Sequence, residues 1–596
     1  MNLLTVVLLL PLVGFLIALC IPRSSPQASR VWALALSLAA FAASLGLLAW
    51  FDRGVAGEQF TLDIPWISTP DIHFHIAVDG VSLWLALLST FLTPICVLIS
   101  WRHVQNSVKE FYAFLLLLEF GLVGVFIAQD LFLFYVFWEV SLVPMYFLIG
   151  IWGHERRIYA AVKFFLFTMA GSVLMLAAII YLYNRAQTFS YSAIVDMLAS
   201  GRLTFAPGEQ LLLFLAFFVA FAIKVPLFPL HTWLPDAHVE APSAGSIMLA
   251  SVMLKMGTYG ILHYCVPLFP GAARSCAPWI AVLAIIGIVY GALVAMVQPN
   301  MKKLVAYSSV SHLGFVVLGI FSFTQLGMDG AVYQMLSHGI TTGALFAIVG
   351  LLYERRHSLE IKDYGGVATV APWLSTAFLI ATLASIGLPL LNNFVGEFLV
   401  LQGAAIANFK WAIWAAIGVI LSACYMLWLY QRVFYGEAGA DVRAHVPDLN
   451  LREWAAVVPL IVMMVWMGVY SQSFLPPVGK TTALILDQSQ VNVPFRVSIP
   501  GREAVFDAET GPQRQRAPRR GEKSRLLTPS SAPSAPESRE EHSRDSQTEP
   551  LKMFSPAPRR LGGEILVSSA SGRPLPLRAG LRVKSGFSSP EVAHAR

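Results

Sequence analysis

Ionisable side chains lie in the middle of several long apolar stretches of this sequence. Glu139 lies in FWEVSLVPMYF, Lys255 lies in SIMLASVMLKMGTYG, and Lys224 ends the apolar part of FAIKVPLFPLHTWL. A charge at membrane depth is costly, and such residues usually serve a function. Burial favours the neutral form of such a group, whereas an opposite charge nearby favours the charged form. These residues therefore indicate reversible proton binding inside a membrane.

Glu139 and Lys224 have complementary chemistry. A buried lysine is neutral when unpaired and charged when a carboxylate is close, so the two side chains could act as a switchable proton carrier. Each residue has a simpler explanation. Glu139 could form a structural ion pair between helices, and Lys224 could reach the membrane surface from a helix end.

Three further ionisable residues extend this pattern. Lys255 has about ten apolar or small residues on either side, so its side chain is the least able to reach water. Glu397 follows a proline in IGLPLLNNFVGEF and is either the last acid of a proton path or a carboxylate at a new helix N-terminus. Glu119, in LLLLEFGLVGVF, could extend the proton path either towards a neighbouring subunit or towards Glu139.

His312 and His338 lie within two other apolar stretches, where a neutral imidazole can relay a proton through its two nitrogens. The alternative is an ordinary hydrogen bond between helices. For the residues around the prolines after Lys224, function and loop hydration remain equally open; they are His231, Asp236, His238 and Glu240. His263 is near a helix end and fits a structural role. Metal binding is disfavoured, because no HxxxH or HExxH pattern occurs.

The elements that hold these residues are apolar helices. Hydrophobic residues form 56% of the 596-residue chain, charged residues form 13%, and the mean hydropathy is +0.65. Such a composition indicates a membrane protein. We predict an all-α polytopic membrane protein with about 14 transmembrane helices. They lie near residues 2–21, 31–51, 79–100, 111–128, 131–152, 160–183, 211–231, 244–266, 278–298, 304–323, 330–352, 372–406, 411–435 and 454–471.

Prolines interrupt the seventh and the twelfth predicted helices, at Pro226 and Pro229 and at Pro389. Interrupted helices at matching places in two halves are typical of a transporter core. Fourteen Lys and Arg residues follow odd-numbered helices and five follow even-numbered ones. The loops after odd-numbered helices should therefore face the cytoplasm or an organelle's matrix, and both termini the opposite side.

Other features exclude several classes of protein. The five cysteines form no CxxC pair, and neither GxGxxG nor a Walker A pattern occurs, so we expect no metal, nucleotide or redox cofactor on this chain. The net charge of +6 arises entirely after residue 500, in a Pro/Ser/Arg-rich segment that we expect to be disordered. The first helix lacks the features of a cleaved signal peptide, and we expect it to be retained.

Several motifs resemble the antiporter-like membrane subunits of respiratory complex I, which in turn resemble subunits of multisubunit Na⁺/H⁺ antiporters. They are VDGVSLWL, FWEVSLVPMYFLIG, KVPLFPLHTWLPDAHVEAPSAGSIMLASVMLK, MKKLVAYSSVSHLGF and NFVGEF, and the resemblance covers roughly residues 1–500. It implies two inverted five-helix repeats, each with a broken helix. Glu397 is similar to the glutamate that one of the three paralogous types carries where the others have lysine.

The resemblance implies a proton-translocating subunit of an NADH–quinone oxidoreductase, with Glu139, Lys224, Lys255, His312, His338 and Glu397 on the proton path. A subunit of a cation/proton antiporter is the alternative. NADH, FMN, iron–sulfur clusters and quinone are expected in partner subunits, and neighbouring antiporter-like subunits are the expected contacts. A bacterial inner membrane is the expected location. The expected segments are helices 1–3 (1–110), two repeats (111–266 and 278–435), a last helix (436–500) and the tail (501–596).

Overall fold

The structure, a computed structural model, describes residues 2–489, 496–499 and 502–505. These residues belong to a compact unit that spans residues 1–513. The segment expected to be disordered, 501–596, lies outside the described residues except for a strand at Arg502–Val505, which pairs antiparallel with Arg496–Ile499. The disorder of that segment and the division into five segments stay predictions.

Apolar helices make up most of the described chain. The helices of six residues or more are α1 (Leu3–Cys20), α2 (Pro26–Trp50), α3 (Ser82–His103), α4 (Val108–Ile127), α5 (Leu131–Trp152), α6 (Arg157–Ala186), α7 (Tyr191–Ala199), α8 (Pro207–Lys224), α9 (Leu234–Glu240), α10 (Ser243–Leu268), α11 (Pro270–Met296), α12 (Met301–Phe321), α13 (Gln325–Arg356), α14 (Pro372–Ser385), α15 (Asn392–Ala407), α16 (Phe409–Phe434), α17 (Ala440–His445), α18 (Leu451–Val469) and α19 (Leu475–Gln488).

Within the described residues, thirteen of these helices are long and apolar enough to cross a membrane. The remaining predicted span, the twelfth in chain order at 372–406, is divided into α14 and α15. Every predicted span therefore corresponds to a helix or a broken helix, and the all-α polytopic fold is confirmed. Side-chain caps begin several of these helices. Asp130 accepts hydrogen bonds from the backbone N–H groups of Phe132 and Leu133, for example, at the start of α5.

The first break follows Lys224, the last residue of α8. Pro226 and Pro229 have no backbone N–H, and the helix resumes only at Leu234. Other donors satisfy the carbonyl groups at the end of α8: Leu227 N donates to Ala222 O at 2.8 Å, and the Trp233 indole N–H donates to Ile223 O at 2.9 Å. The break therefore leaves Lys224 at an ordered helix end inside the protein.

The second break separates α14 from α15. Gly387 has a φ of +75°, a left-handed conformation that only glycine adopts at little cost, and Pro389 follows it. The helix resumes at Asn392, whose side-chain Nδ2 donates to Ser337 O of α13 at 3.0 Å. This break lies five residues before Glu397 on the same segment of chain.

Helices α10, α12 and α13 form the centre of the protein. The most apolar windows of α10 and α13 are fully buried and that of α12 is 94% buried, whereas those of α1, α2 and α18 are only about a third buried. Helix α10 also contains two π-helical segments, Leu249–Met253 and Ile261–Cys265, on either side of Lys255. π-helical turns occur frequently at functional sites.

The sequence-based prediction missed a β-hairpin and four short helices, α9 and α17 beside the two longer ones, α7 and α19. Strand β1 (Gln59–Ser68) pairs antiparallel with β2 (Asp71–Val78), in a register that places Gln59 opposite Val78 and Ser68 opposite Asp71. The pattern in QFTLDIPWIS does alternate between apolar and polar residues, which is the signal of a strand. Helices α7 and α19 escaped detection because they are too short to span a membrane.

Candidate functional site

Lys255 is fully buried in α10, and its Nζ has two close polar neighbours. It donates to Ala250 O at 2.6 Å and lies 2.6 Å from Nδ1 of His338 on α13. No carboxylate lies within ion-pair distance of Lys255 in the described part of the chain. The ammonium form therefore has a carbonyl and an imidazole as partners but no counter-charge, which favours its release of a proton.

His312 and Glu397 form a second contact, between α12 and α15. His312 Nδ1 lies 2.9 Å from Glu397 Oε1, and Nε2 of Gln334 donates to the same oxygen at 3.0 Å. Both His312 and Glu397 are at most 3% exposed. One oxygen of Glu397 therefore lies within hydrogen-bond distance of both the Gln334 amide and the His312 imidazole.

The two contacts join into one series. The ring centroids of His338 and His312 are 5.8 Å apart, and Nε2 of His338 has no hydrogen-bond partner among the described residues. If Nδ1 of His338 accepts from Lys255, Nε2 carries the proton and can pass it on. His312 would accept at Nε2 and release its Nδ1 proton to Glu397. The arrangement can therefore relay a proton from Lys255 to Glu397, with one gap between the imidazoles.

The structure adds residues to this series that sequence reasoning missed. Besides Gln334, the hydroxyl groups of Ser385 and Tyr425 each lie 3.4 Å from Nε2 of His312. A Cβ atom at Gly387 would lie 3.1 Å from Glu397 Oε2. Gln334 could have been found, because it precedes His338 by four residues and such residues share one face of a helix. Ser385 and Gly387, around the end of α14, and Tyr425 in α16 are distant in sequence from His338 and carry no such signal.

Lys224 is fully buried but is not in contact with Glu139. Its Nζ has no hydrogen-bond partner, and no carboxylate lies within 4.0 Å of it among the described residues. It lies instead 5.3 Å from the centre of the Trp138 ring and 5.4 Å from that of Phe164, where the faces of the rings can stabilise a cation. Glu139 acts on it only over a longer distance.

Glu139 and Glu119 also lie outside the central series. Glu139 is partly buried, its Oε1 has no hydrogen-bond partner, and Tyr135 of the same helix lies beside it. Glu119 is fully buried, neither of its oxygens has a hydrogen-bond partner among the described residues, and Thr93 and Cys96 of α3 face it. Neither carboxylate contacts Lys255 or Glu397.

The remaining sequence candidates surround the first break and the end of α10. Asp236 forms an ion pair with Lys163 of α6 at 2.6 Å, and His231 lies against Tyr290 with ring centroids 5.2 Å apart. His263 Nδ1 lies 3.5 Å from Asp79 Oδ2, away from the relay.

Glu240 accepts a hydrogen bond from the backbone N–H of Arg156 at 2.8 Å, although burial raises the pKa of its carboxyl group. His238 is fully buried, and neither of its ring nitrogens has a hydrogen-bond partner in the described chain. Among the described residues, no group of three or more His, Cys, Asp or Glu side chains could hold a metal ion.

Comparison with protein families gives one match that includes all the residues of this series. The model for "NADH:quinone oxidoreductase/Mrp antiporter, TM" matches residues 128–423. This range contains Glu139, Lys224, Lys255 and Glu397 but leaves out Glu119.

Two curated proteins illustrate the similarity along most of the chain. The chain is 45% identical over 493 residues to NADH-quinone oxidoreductase subunit M of Rhodobacter capsulatus, which covers 81% of this chain and 96% of that protein. It is 43% identical over 469 residues to NADH-ubiquinone oxidoreductase chain 4 of Marchantia polymorpha, covering 78% and 94% respectively.

Solved structures show the same fold. A chain of respiratory complex I from Thermus thermophilus with bound NADH matches with a TM-score of 0.73 and 34% identity, covering 82% of this chain and all of that chain. A chain of the Mrp complex from Dietzia sp. matches with a TM-score of 0.71, covering 82% and 98%, but at 21% identity it supports the fold alone.

Proposed function

The chain belongs to the NADH:quinone oxidoreductase/Mrp antiporter family and, within it, to the subunit M (chain 4) type, and from this premise we propose the route by which it moves protons. It is an integral, multi-pass, proton-translocating membrane subunit of an NADH–quinone oxidoreductase, as its motifs indicated. The antiporter alternative is supported by the shared fold and by the family model, which covers both kinds of protein, but not by the relatives at 43–45% identity.

The route runs from Lys255 through His338 and His312 to Glu397. The observation that carries this proposal is the pair of hydrogen-bonded contacts, Lys255–His338 and His312–Glu397, whose imidazoles are neighbours. Each step moves one proton between nitrogen or oxygen atoms, and no redox chemistry takes place on these residues. A water molecule between the imidazoles would complete the series.

Glu139 and Lys224 form the switch that loads this route. When Glu139 is close, Lys224 holds its proton, because a charge pair about 4 Å apart is stabilised by about 4 kcal/mol at an effective dielectric of 20. When Glu139 moves away, Lys224 releases the proton towards Lys255. The separation of the two side chains described above supports the released state. Glu119, which is buried and has no hydrogen-bond partner in the described part of the chain, links this switch to a neighbouring subunit.

The two helix breaks give water access to the route. An interrupted backbone in a membrane is tolerated where it is buried or lines a cavity. The first break lies directly after Lys224, and Gly387 of the second lies beside Glu397. Proton uptake therefore takes place near the first break and proton release near the second.

The setting of the chain follows from its family. We propose that it lies in a bacterial inner membrane beside other antiporter-like subunits, with both termini on the non-cytoplasmic side. Electron transfer from NADH to quinone, through FMN and iron–sulfur clusters, takes place in partner subunits, and this chain carries no redox centre. Electron transfer there moves Glu139 relative to Lys224.

The test is proton pumping by the assembled complex in inside-out membrane vesicles supplied with NADH. We expect Lys224→Ala and Glu139→Gln each to reduce the pumping rate by about tenfold or more, since each removes a group that transfers or controls a proton. Lys410→Ala is the matched control, because Lys410 is exposed at the start of α16. Normal pumping by either Lys224→Ala or Glu139→Gln in a fully assembled complex would refute the switch.

A further inference from the structure

Three histidines surround Tyr353 near the end of α13. His103 ends α3, His154 lies between α5 and α6, and His357 directly follows α13, with ring centroids 6.1, 4.7 and 5.9 Å from that of Tyr353. The hydroxyl group of Tyr353 lies 3.2 Å from Nδ1 of His154. We call these four residues the Tyr353 cluster. All three histidines are near loops that follow odd-numbered spans, the side rich in Lys and Arg.

The Tyr353 cluster borders a polar cavity. The cavity has a volume of about 620 Å³, and His103 and His357 line it together with Glu354 and Arg355. Oε1 of Glu354 is buried and has no hydrogen-bond partner among the described residues. Unpaired polar atoms in a cavity of this size are favourable sites for water. The cluster therefore borders a space that can supply protons.

Lys302 lies near the Tyr353 cluster and is buried, although it is only the second residue of α12. It is 3% exposed, and its Nζ donates to Val239 O at 3.4 Å and more closely to Ala241 O, at the end of α9. Its charge acts on His103, His154 and Glu240, and the backbone N–H of His154 donates to Glu240 O at 2.9 Å. A neutral lysine keeps two N–H donors, so Lys302 can give up one proton and still bond both carbonyl groups.

His238 lies between Lys302 and the relay. Its ring stacks on Phe346 with centroids 4.6 Å apart, and the charges of both Lys302 and Lys255 act on it. His338 is also close enough for an electrostatic interaction with it. A buried imidazole with two unpaired nitrogens is costly as a purely structural element. Its position and its free nitrogens suit the transfer of protons.

We propose that the Tyr353 cluster takes up protons from water in the cavity, and that Lys302 and His238 carry them inward to Lys255. This inlet rests on the proposed function, in which Lys255 begins the relay. It reaches Lys255 without passing through Lys224, so the Glu139–Lys224 pair controls the relay electrostatically rather than supplying every proton. Each transfer moves one proton from one nitrogen to the lone pair of the next, and the cavity water replaces it.

The electrostatics of His154 agree with a transfer role. Burial, together with the charges of Lys302 and His103, lowers the pKa of His154 to about 3. His154 is therefore neutral at physiological pH and has one donor and one acceptor nitrogen. Such a group passes a proton on without storing it.

Lys302→Arg separates the inlet from a structural role. Arginine keeps the charge and can still bond the carbonyl groups at the end of α9, but it does not release a proton at any physiological pH. In the assembled complex we expect NADH-driven pumping to fall by about tenfold or more. The adjacent Lys303→Arg, at a more exposed residue, is the matched control and should pump normally.

Chemical rescue provides the second measurement. We expect His154→Ala to pump slowly and to recover when imidazole is added, whereas His445→Ala, at an exposed histidine that ends α17, should need no rescue. A purely structural His154 would not respond to imidazole.

Lys255→Met distinguishes the failure of the inlet from failure of the relay. Normal pumping by Lys302→Arg together with loss in Lys255→Met would overturn the inlet alone. Normal pumping by both would overturn the relay as well. A Lys302→Arg complex that does not assemble leaves the decision to His154→Ala, where lack of rescue by imidazole contradicts the inlet.

Discussion

Lys255 and Glu397 are equally deep in the protein but have opposite surroundings. Lys255 has a carbonyl group and an imidazole as partners, so its charged form is uncompensated. Glu397 instead accepts a hydrogen bond from Gln334, and its Oε1 lies 2.9 Å from Nδ1 of His312, the nitrogen that would donate a proton to it. A proton released at Lys255 therefore has the carboxylate of Glu397 as the acceptor at the far end of the series. This arrangement gives the relay a direction.

A substitution of Gln334 tests whether its hydrogen bond to the carboxylate of Glu397 supports the relay. In Gln334→Met the carboxylate loses one donor, while the side chain keeps a similar length. A hydrogen bond to a charged group is commonly worth about 1.5–3 kcal/mol, so we expect pumping to fall about tenfold. The measurement is NADH-driven pumping by the assembled complex.

Gln298→Met is the control for this change, because Gln298 lies between α11 and α12 and its side chain donates to the backbone carbonyl of Val294 in α11 rather than to a carboxylate. It should pump at the wild-type rate. Equal rates for Gln334→Met and Gln298→Met would mean that Gln334 does not support the relay.

The chemistry of individual residues was predictable from sequence, but their contacts were not. Mid-membrane positions identified Lys255, His312, His338 and Glu397, because a charged or polar side chain stands out among apolar neighbours. The partner of each could not be deduced, because it lies on another helix, 83 residues away for Lys255 and 85 for His312. The Glu139–Lys224 contact remains a proposal for another state of the switch.

The two helix breaks are the elements that position the ends of the proton route. The first ends α8 at Lys224, and the second brings Gly387 against the carboxylate of Glu397. Prolines in the sequence located both breaks, since they remove a donor from an otherwise apolar helix. The proximity of Gly387 to Glu397 was not visible in the sequence. It depends on how the chain turns between α14 and α15.

Gly387→Ala tests the second break. Its φ of +75° strains any other residue by about 1–2 kcal/mol, and the new Cβ would press on Glu397 Oε2 at 3.1 Å. We expect lower thermal stability of the complex together with a loss of proton pumping, because the carboxylate must shift.

Gly201→Ala is the control for backbone strain alone. Its φ is +72°, but no atom lies within 4 Å of the added Cβ. It should lose comparable stability and keep normal pumping. If both variants pump equally well, the contact between the second break and Glu397 has no functional role.

In the molecule as a whole, the polar side chains of the relay lie in a core that α10, α12 and α13 form. These helices are almost completely buried, and less buried helices surround them. Hydropathy predicted every spanning helix, because each needs about 20 apolar residues. It could not predict which helices lie at the centre, because the mean hydropathy of the central helices, 1.3–1.8, includes the value of a peripheral helix, α18, at 1.5. The β-hairpin escaped notice because its strands, of ten and eight residues, are too short to register in a search for membrane-spanning segments of about 20 apolar residues.

The central claim is that a proton leaving Lys255 arrives at Glu397. Infrared difference spectroscopy of the assembled complex, recorded on addition of NADH, measures it through the C=O band of a protonated carboxyl group. We predict a band that Glu397→Gln abolishes and that Lys255→Met also abolishes, because the proton no longer arrives. A Glu397 band that persists unchanged in Lys255→Met would contradict the relay.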